Sequence, residues 1–102
     1  MASPPTNDLL GTQVRMPQHV VCRSFVAETV VLNLQTGQYH GLNPTAGRML
    51  EALQAAPTVG AAVPELAAQY GVAQEQIERD LLALAGGLLE RGLIETVDDA
   101  GA

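Results

Sequence analysis

Apolar and polar positions change their spacing once along this chain, near Asn43. Before that point β-branched residues come in short runs punctuated by glycine. After it, Ala and Leu recur at helical spacing, so strands precede helices, as in an α+β domain. The first predicted strand is Val20 to Phe25. The second is Thr29 to Leu34, where Val30, Leu32 and Leu34 alternate with Thr29, Val31 and Asn33 at a period of two, giving one apolar face. Gln35, Thr36 and Gly37 suit a three-residue hairpin loop, with Gly37 supplying the left-handed conformation that a type I turn plus bulge requires. A short third strand, Gln38 to Leu42, follows. As the last of the three it is expected to keep an unpaired edge.

Asn43 and Pro44 mark a helix start: the amide side chain caps free N–H groups, and proline lacks the N–H that would go unused at the first helical position. Helix 1 is predicted to run to Ala56, with Ala46, Met49, Leu50 and Leu53 on one face and Pro57 as its stop. Pro64 interrupts the helical pattern from Thr58, so the regular part of helix 2 is placed at Val63 to Tyr70, ended by Gly71, with a turn or distorted first turn before it. Helix 3 runs from Ala73 to Arg91. Glu75 and Glu78 suit its positive end, Arg91 its negative end, and Gly92 its stop. Ile94 to Val97 reads as a short final strand. Residues 1–14, rich in Ser, Pro, Asn and Asp, and residues 98–102 read as flexible tails around one domain at 15–97.

Composition narrows the partners. Apolar residues are 47% of the 102 but aromatics only 3%, so the core is aliphatic. The five basic residues are all arginines (Arg15, Arg23, Arg48, Arg79, Arg91) against 11 acidic ones, a net charge of −6. That balance disfavours nucleic acid and anionic membrane surfaces, which both draw affinity from clustered cations. No apolar run is long enough for a membrane span and no secretory signal pattern is present, so a cytoplasmic protein is expected. A protein, peptide or small-molecule partner remains.

Helix 3 carries more apolar surface than a simple core stripe. Ile77, Leu81, Leu84 and Leu88 fall together, and Leu82, Ala85 and Leu89 widen the stripe. Burial between two layers accounts for this; so does a groove. On the other flank Gln76, Asp80, Ala83 and Gly87 align, with Arg79 farther round. Gly86 and Gly87 in mid-helix cost about 1 kcal/mol each relative to Ala, which asks for a reason: close approach of another backbone, or close helix–strand packing inside the domain. An exposed third strand beside this flank would accept an extended peptide as a further strand.

Catalytic chemistry is not legible. His19, His40 and Cys22 fit no metal-ligand spacing, Cys22 reads as a buried apolar residue, and no nucleophile elbow or phosphate loop occurs. No enzyme, cofactor or metal site is expected.

Four segments in order carry a family likeness: ETVVLNLQTGQYHGLNPTAG at 28–47, LAAQYGV at 66–72, DLLAL at 80–84 and LLERGLI at 88–94. Together they resemble the PqqD-like family of precursor-peptide recognition elements, which serve the biosynthesis of ribosomally made, modified peptides. The resemblance implies a winged helix-turn-helix-like α+β fold, a three-stranded antiparallel sheet followed by three α-helices. It implies binding of a precursor's leader segment as an extra strand on the third strand, against helix 3. Carried over, the strand positions are Gln38, Tyr39, His40, Gly41 and Leu42. The helix positions are Gln76, Arg79, Asp80, Ala83, Leu84 and Gly87, with Asp80 where the family has its helix-3 aspartate.

The stretch LQTGQYHGLN at 34–43 lacks the Pro-Glu-Gly turn of the pyrroloquinoline quinone branch and looks more like the free-standing proteins of lasso-peptide clusters. That branch implies delivery of the precursor to a leader-cleaving cysteine protease and to an ATP-dependent lasso cyclase, in antibiotic biosynthesis. The alternatives are a chaperone for the pyrroloquinoline quinone precursor and a winged-helix DNA-binding regulator.

Overall fold

The structure, a computed structural model, describes residues 9–97. Its elements in chain order are β1 (Gln13–Arg15), β2 (Val20–Ser24), β3 (Thr29–Asn33), β4 (Tyr39–Leu42), α1 (Pro44–Ala55), α2 (Ala62–Tyr70), α3 (Gln74–Glu90) and β5 (Glu95–Val97). β2, β3 and β4 form the expected three-stranded antiparallel sheet in that order, and three helices follow. β1 and β5 form a separate antiparallel pair, Val14 opposite Thr96.

The hairpin loop between β3 and β4 keeps the left-handed Gly37 but is one residue longer than expected, Leu34 to Gly37, closed by Asn33 N–H to Gln38 O at 2.9 Å. Gly37 has φ +77° and donates its N–H to the Asn33 carbonyl at 2.8 Å, while the Asn33 side chain accepts the N–H groups of Gln35 and Thr36. Asn43 caps α1 by accepting the Ala46 N–H at 2.8 Å, and Pro44 opens the helix. Thr58 Oγ1 accepts the Ala61 N–H in the turn that leads into α2. Pro64 then falls in the first turn of α2, where no intrahelical N–H partner exists to lose. Helix α3 ends in a Schellman motif: Leu93 donates to Leu88 O and Gly92, at φ +71°, donates to Leu89 O, with Leu88 and Leu93 both buried.

The structure corrects two expectations. The first concerns the tail at 1–14. Leu9 and Val14 are core residues, and the segment is fastened to the turn before α2 by Val59 N–H to Thr12 O and Gly60 N–H to Leu10 O, both 2.8 Å. Three residues of β1 are too few for a periodic signal, and the partner strand lies at the other end of the chain. Residues 1–8 and 98–102 of the expected tails lie outside the described residues.

The second correction concerns which face of β3 is inside. Thr29 and Val31 are the buried positions, whereas Val30 and Leu32 are only half-buried, and Leu34, just beyond the strand, is 58% exposed. The stripe that reads as apolar in the sequence therefore lies on the outer face. The cause is the seating of α1, whose Gly47 rests on Thr29 so closely that a Cβ there would lie 2.9 Å from Thr29 Cβ. Leu50, Leu53, Leu66, Leu81 and Leu88 fill the space between helices, each burial contributing about 1.5–3 kcal/mol.

Candidate functional site

The ladder hydrogen bonds decide which backbone groups of β4 are free. Leu32 pairs with Tyr39 and Val31 with His40, and the next pair, Asn33 and Gln38, is hydrogen-bonded through Asn33 N–H to Gln38 O at 2.9 Å. In an antiparallel ladder bonded and non-bonded pairs alternate. His40 and Leu42 therefore direct their N–H and C=O groups toward β3. Tyr39 and Gly41 direct theirs away from it, along the sheet edge that no described strand occupies.

Side chains alternate in the same register. His40 and Leu42 share the inner face with Val31 and Thr29 and are half-buried. Tyr39 and Gly41 share the outer face with Leu32 and Val30, in the cross-strand rows Val21–Leu32–Tyr39 and Arg23–Val30–Gly41. Tyr39 is 70% exposed. An aromatic ring standing free on an edge strand is ready contact area for an added chain. Gln38 precedes the strand and is exposed.

Helix α1 packs on both β4 and α3. On α3, Ile77, Leu81, Ala85 and Leu88 are buried, and Leu82, Leu84 and Leu89 are half-buried against the core. Gln76, Arg79, Asp80 and Ala83 are exposed, and Gly87 is half-buried. Neither Arg79 nor Asp80 has an ion pair or side-chain hydrogen bond among the described residues.

A shallow, open depression of about 480 Å³ runs along α3, lined by Arg79, Leu82, Ala83, Gly86, Gly87 and Glu90. It gathers three of the expected helix positions, Arg79, Ala83 and Gly87, with Gly86, whose place in mid-helix already asks for a reason, and adds Leu82 and Glu90. At about 100° per residue, Asp80 and Leu84 lie farther round the helix than this depression. A Cβ on Gly86 would meet nothing within 4 Å, and one on Gly87 would meet only Arg91 Nη1 at 4.0 Å. Internal packing therefore does not require either glycine.

Tyr39 stands on the outer face of the sheet, while Leu84 is packed against the core. Cys22 is half-buried on the inner face, and its thiol is pushed above its ordinary range first by burial and then by the negative charge of Glu51. Among the described residues, no three His, Cys, Asp or Glu side chains gather in a way suited to a metal ion, and no helix is long and apolar enough to cross a membrane.

Residues 28–94 match the family model of coenzyme PQQ synthesis protein D, PqqD. The chain belongs to the PqqD family. Two solved structures are similar to this family member over most of its length. One is TbiB1 in complex with the TbiA(beta) leader peptide, with 30% identity and a TM-score of 0.73, covering 83% of this chain and 99% of that one. The other is a lasso peptide synthetase B1 complexed with the leader peptide, with 25% identity and a TM-score of 0.74, covering 81% of this chain and 98% of that one. No curated protein matches the chain.

Proposed function

We propose that this PqqD-family protein is a non-catalytic recognition protein that binds the leader segment of a ribosomally made precursor peptide. The leader adds as a further strand on β4, lies above α1 and is held on its other side by α3. The observation that carries this reading is the open edge of β4, where the N–H and C=O groups of Tyr39 and Gly41 point away from β3. Main-chain pairing there supplies affinity, and the alternating side-chain positions supply specificity. On the helix side Arg79 and Asp80 are exposed and unpartnered among the described residues, free to fix the leader's register, and Gly87 leaves room for its backbone. Gln38, His40, Leu42, Gln76, Ala83 and Leu84 complete the site.

Both similar structures hold leader peptides, and both belong to B1 proteins, which supports the lasso-peptide branch over the chaperone of the pyrroloquinoline quinone pathway. In that branch the protein works in the cytoplasm, delivering the precursor to a leader-cleaving cysteine protease and then to an ATP-dependent lasso cyclase. Its contribution to catalysis is then a raised effective concentration, on the order of millimolar for a short tether. Fluorescence anisotropy with the labelled leader of the co-encoded precursor tests the reading. Binding at micromolar concentration or tighter is expected, weakened by Asp80→Ala; absence of binding in that range contradicts it.

A further inference from the structure

Glu28 precedes β3 and lies on the outer face of the sheet, diagonal to Gly41 across the β3–β4 pair. Its side chain reaches across to the edge strand: a Cβ built on Gly41 would lie 2.7 Å from Glu28 Oε1. The carboxylate therefore occupies the space that a side chain at position 41 would fill. It is exposed and makes no ion pair or hydrogen bond among the described residues. Arg23 lies in the same cross-strand row as Gly41 but on the far side of β3, and does not pair with it.

This arrangement puts an uncompensated negative charge beside the one residue of β4 that has no side chain and whose backbone groups face the open edge. A strand added antiparallel to β4 would pair one of its residues directly with Gly41, and that residue's side chain would project from the same outer face. Nothing at Gly41 fills the space between it and the Glu28 carboxylate. Two residues further along, the added strand's next outward side chain meets the ring of Tyr39.

Resting on the reading of β4 as the leader-binding edge, we infer that Glu28 is a specificity-determining residue that selects a cationic side chain, Lys or Arg, at the leader position paired with Gly41. Gly41 serves this by leaving the carboxylate room to lie flat on the strand. The leader then presents to the outer face a cation followed two residues later by an apolar or aromatic side chain set against Tyr39. A protein of net charge −6 adds a long-range field of the same sign, so the pair forms with the field rather than against it.

The test is a double-mutant cycle read by fluorescence anisotropy, with the labelled leader of the co-encoded precursor and its single alanine variants as probes. Glu28→Gln is expected to weaken wild-type leader binding about 3- to 5-fold, the size of a partly exposed ion pair. Glu28→Lys is expected to weaken it about 10-fold, with a loss that shrinks as salt is raised. Alanine at a single Lys or Arg of the leader should cost nothing further in the Glu28→Gln background, and Glu at that position should restore binding to Glu28→Lys. Gly41→Ala, which pushes the carboxylate aside, should reproduce the Glu28→Gln loss. Far-UV circular dichroism checks that each variant folds. If the leader binds but the Glu28 variants leave its affinity unchanged, or couple to no cationic position, the inference is overturned and the strand-addition reading stands. If the wild-type protein fails to bind the leader at all, both are overturned.

Discussion

Gly47 of α1 rests directly on Thr29 of β3, with a virtual Cβ on the glycine only 2.9 Å from the threonine Cβ. The glycine lets α1 approach the inner face of the sheet closely, where Thr29 and Val31 are buried. Gly47→Ala should destabilise the fold by about 1–3 kcal/mol through overpacking, although Ala is the better helix former by about 1 kcal/mol. Urea denaturation reads the difference, and an unchanged or raised midpoint would contradict the packing described.

Val14 is 2% exposed, and β1 pairs with β5, so the start of the domain lies well inside the stretch whose composition suggests a tail. Val14→Ala is expected to cost about 2 kcal/mol, and deletion through Val14 considerably more, as lower melting temperatures. The Arg15–Glu95 ion pair, 2.7 Å between Nε and Oε2, is largely exposed and screened, so Arg15→Ala should shift the melt little.

Gly86 and Gly87 face open space along α3. Replacing either with Ala should stabilise the free protein by about 0.5–1 kcal/mol, because helix propensity improves without a clash. Gly87→Leu should nonetheless weaken leader binding by about 5-fold or more, since the loss of about 1 kcal/mol of contact already corresponds to that factor. Equal leader affinity for Gly87→Leu and wild type would place the leader away from this flank.

Proline scanning of β4 separates its two kinds of backbone position. His40→Pro removes an N–H directed at β3 and should destabilise the sheet. Tyr39→Pro removes an N–H directed at the open edge, so the protein should still fold, edge strands being where proline is tolerated. Leader affinity should fall about 2- to 10-fold below that of Tyr39→Ala, the value of one net hydrogen bond. Thermal melts and anisotropy on the three variants distinguish these outcomes.

Much of this architecture is legible in the sequence because local chemistry decides it: Asn43 as a cap, Gly37 at φ +77°, Gly71 and Gly92 as helix stops. The outer-facing stripe Val30, Leu32 was misleading for a physical reason. Alternation reveals that two faces differ but not which of them a helix covers, and the close approach on the covered face is at Gly47, a residue with no hydrophobic signal. β1 carries no local signal, because its partner β5 lies about as far away in sequence as the chain allows. For the site, the strand and the helix flank were readable as positions. The direction of each N–H on β4 was not, because it depends on register, and the reach of Glu28 to Gly41 depends on the third dimension alone.

The most direct measurement is amide hydrogen exchange by NMR on β4, with and without the leader of the co-encoded precursor. In the free protein the His40 and Leu42 amides, bonded to β3, should exchange slowly, and those of Tyr39 and Gly41 quickly. Added leader should slow Tyr39 and Gly41 selectively. A leader that binds without protecting these two amides would contradict strand addition at this edge.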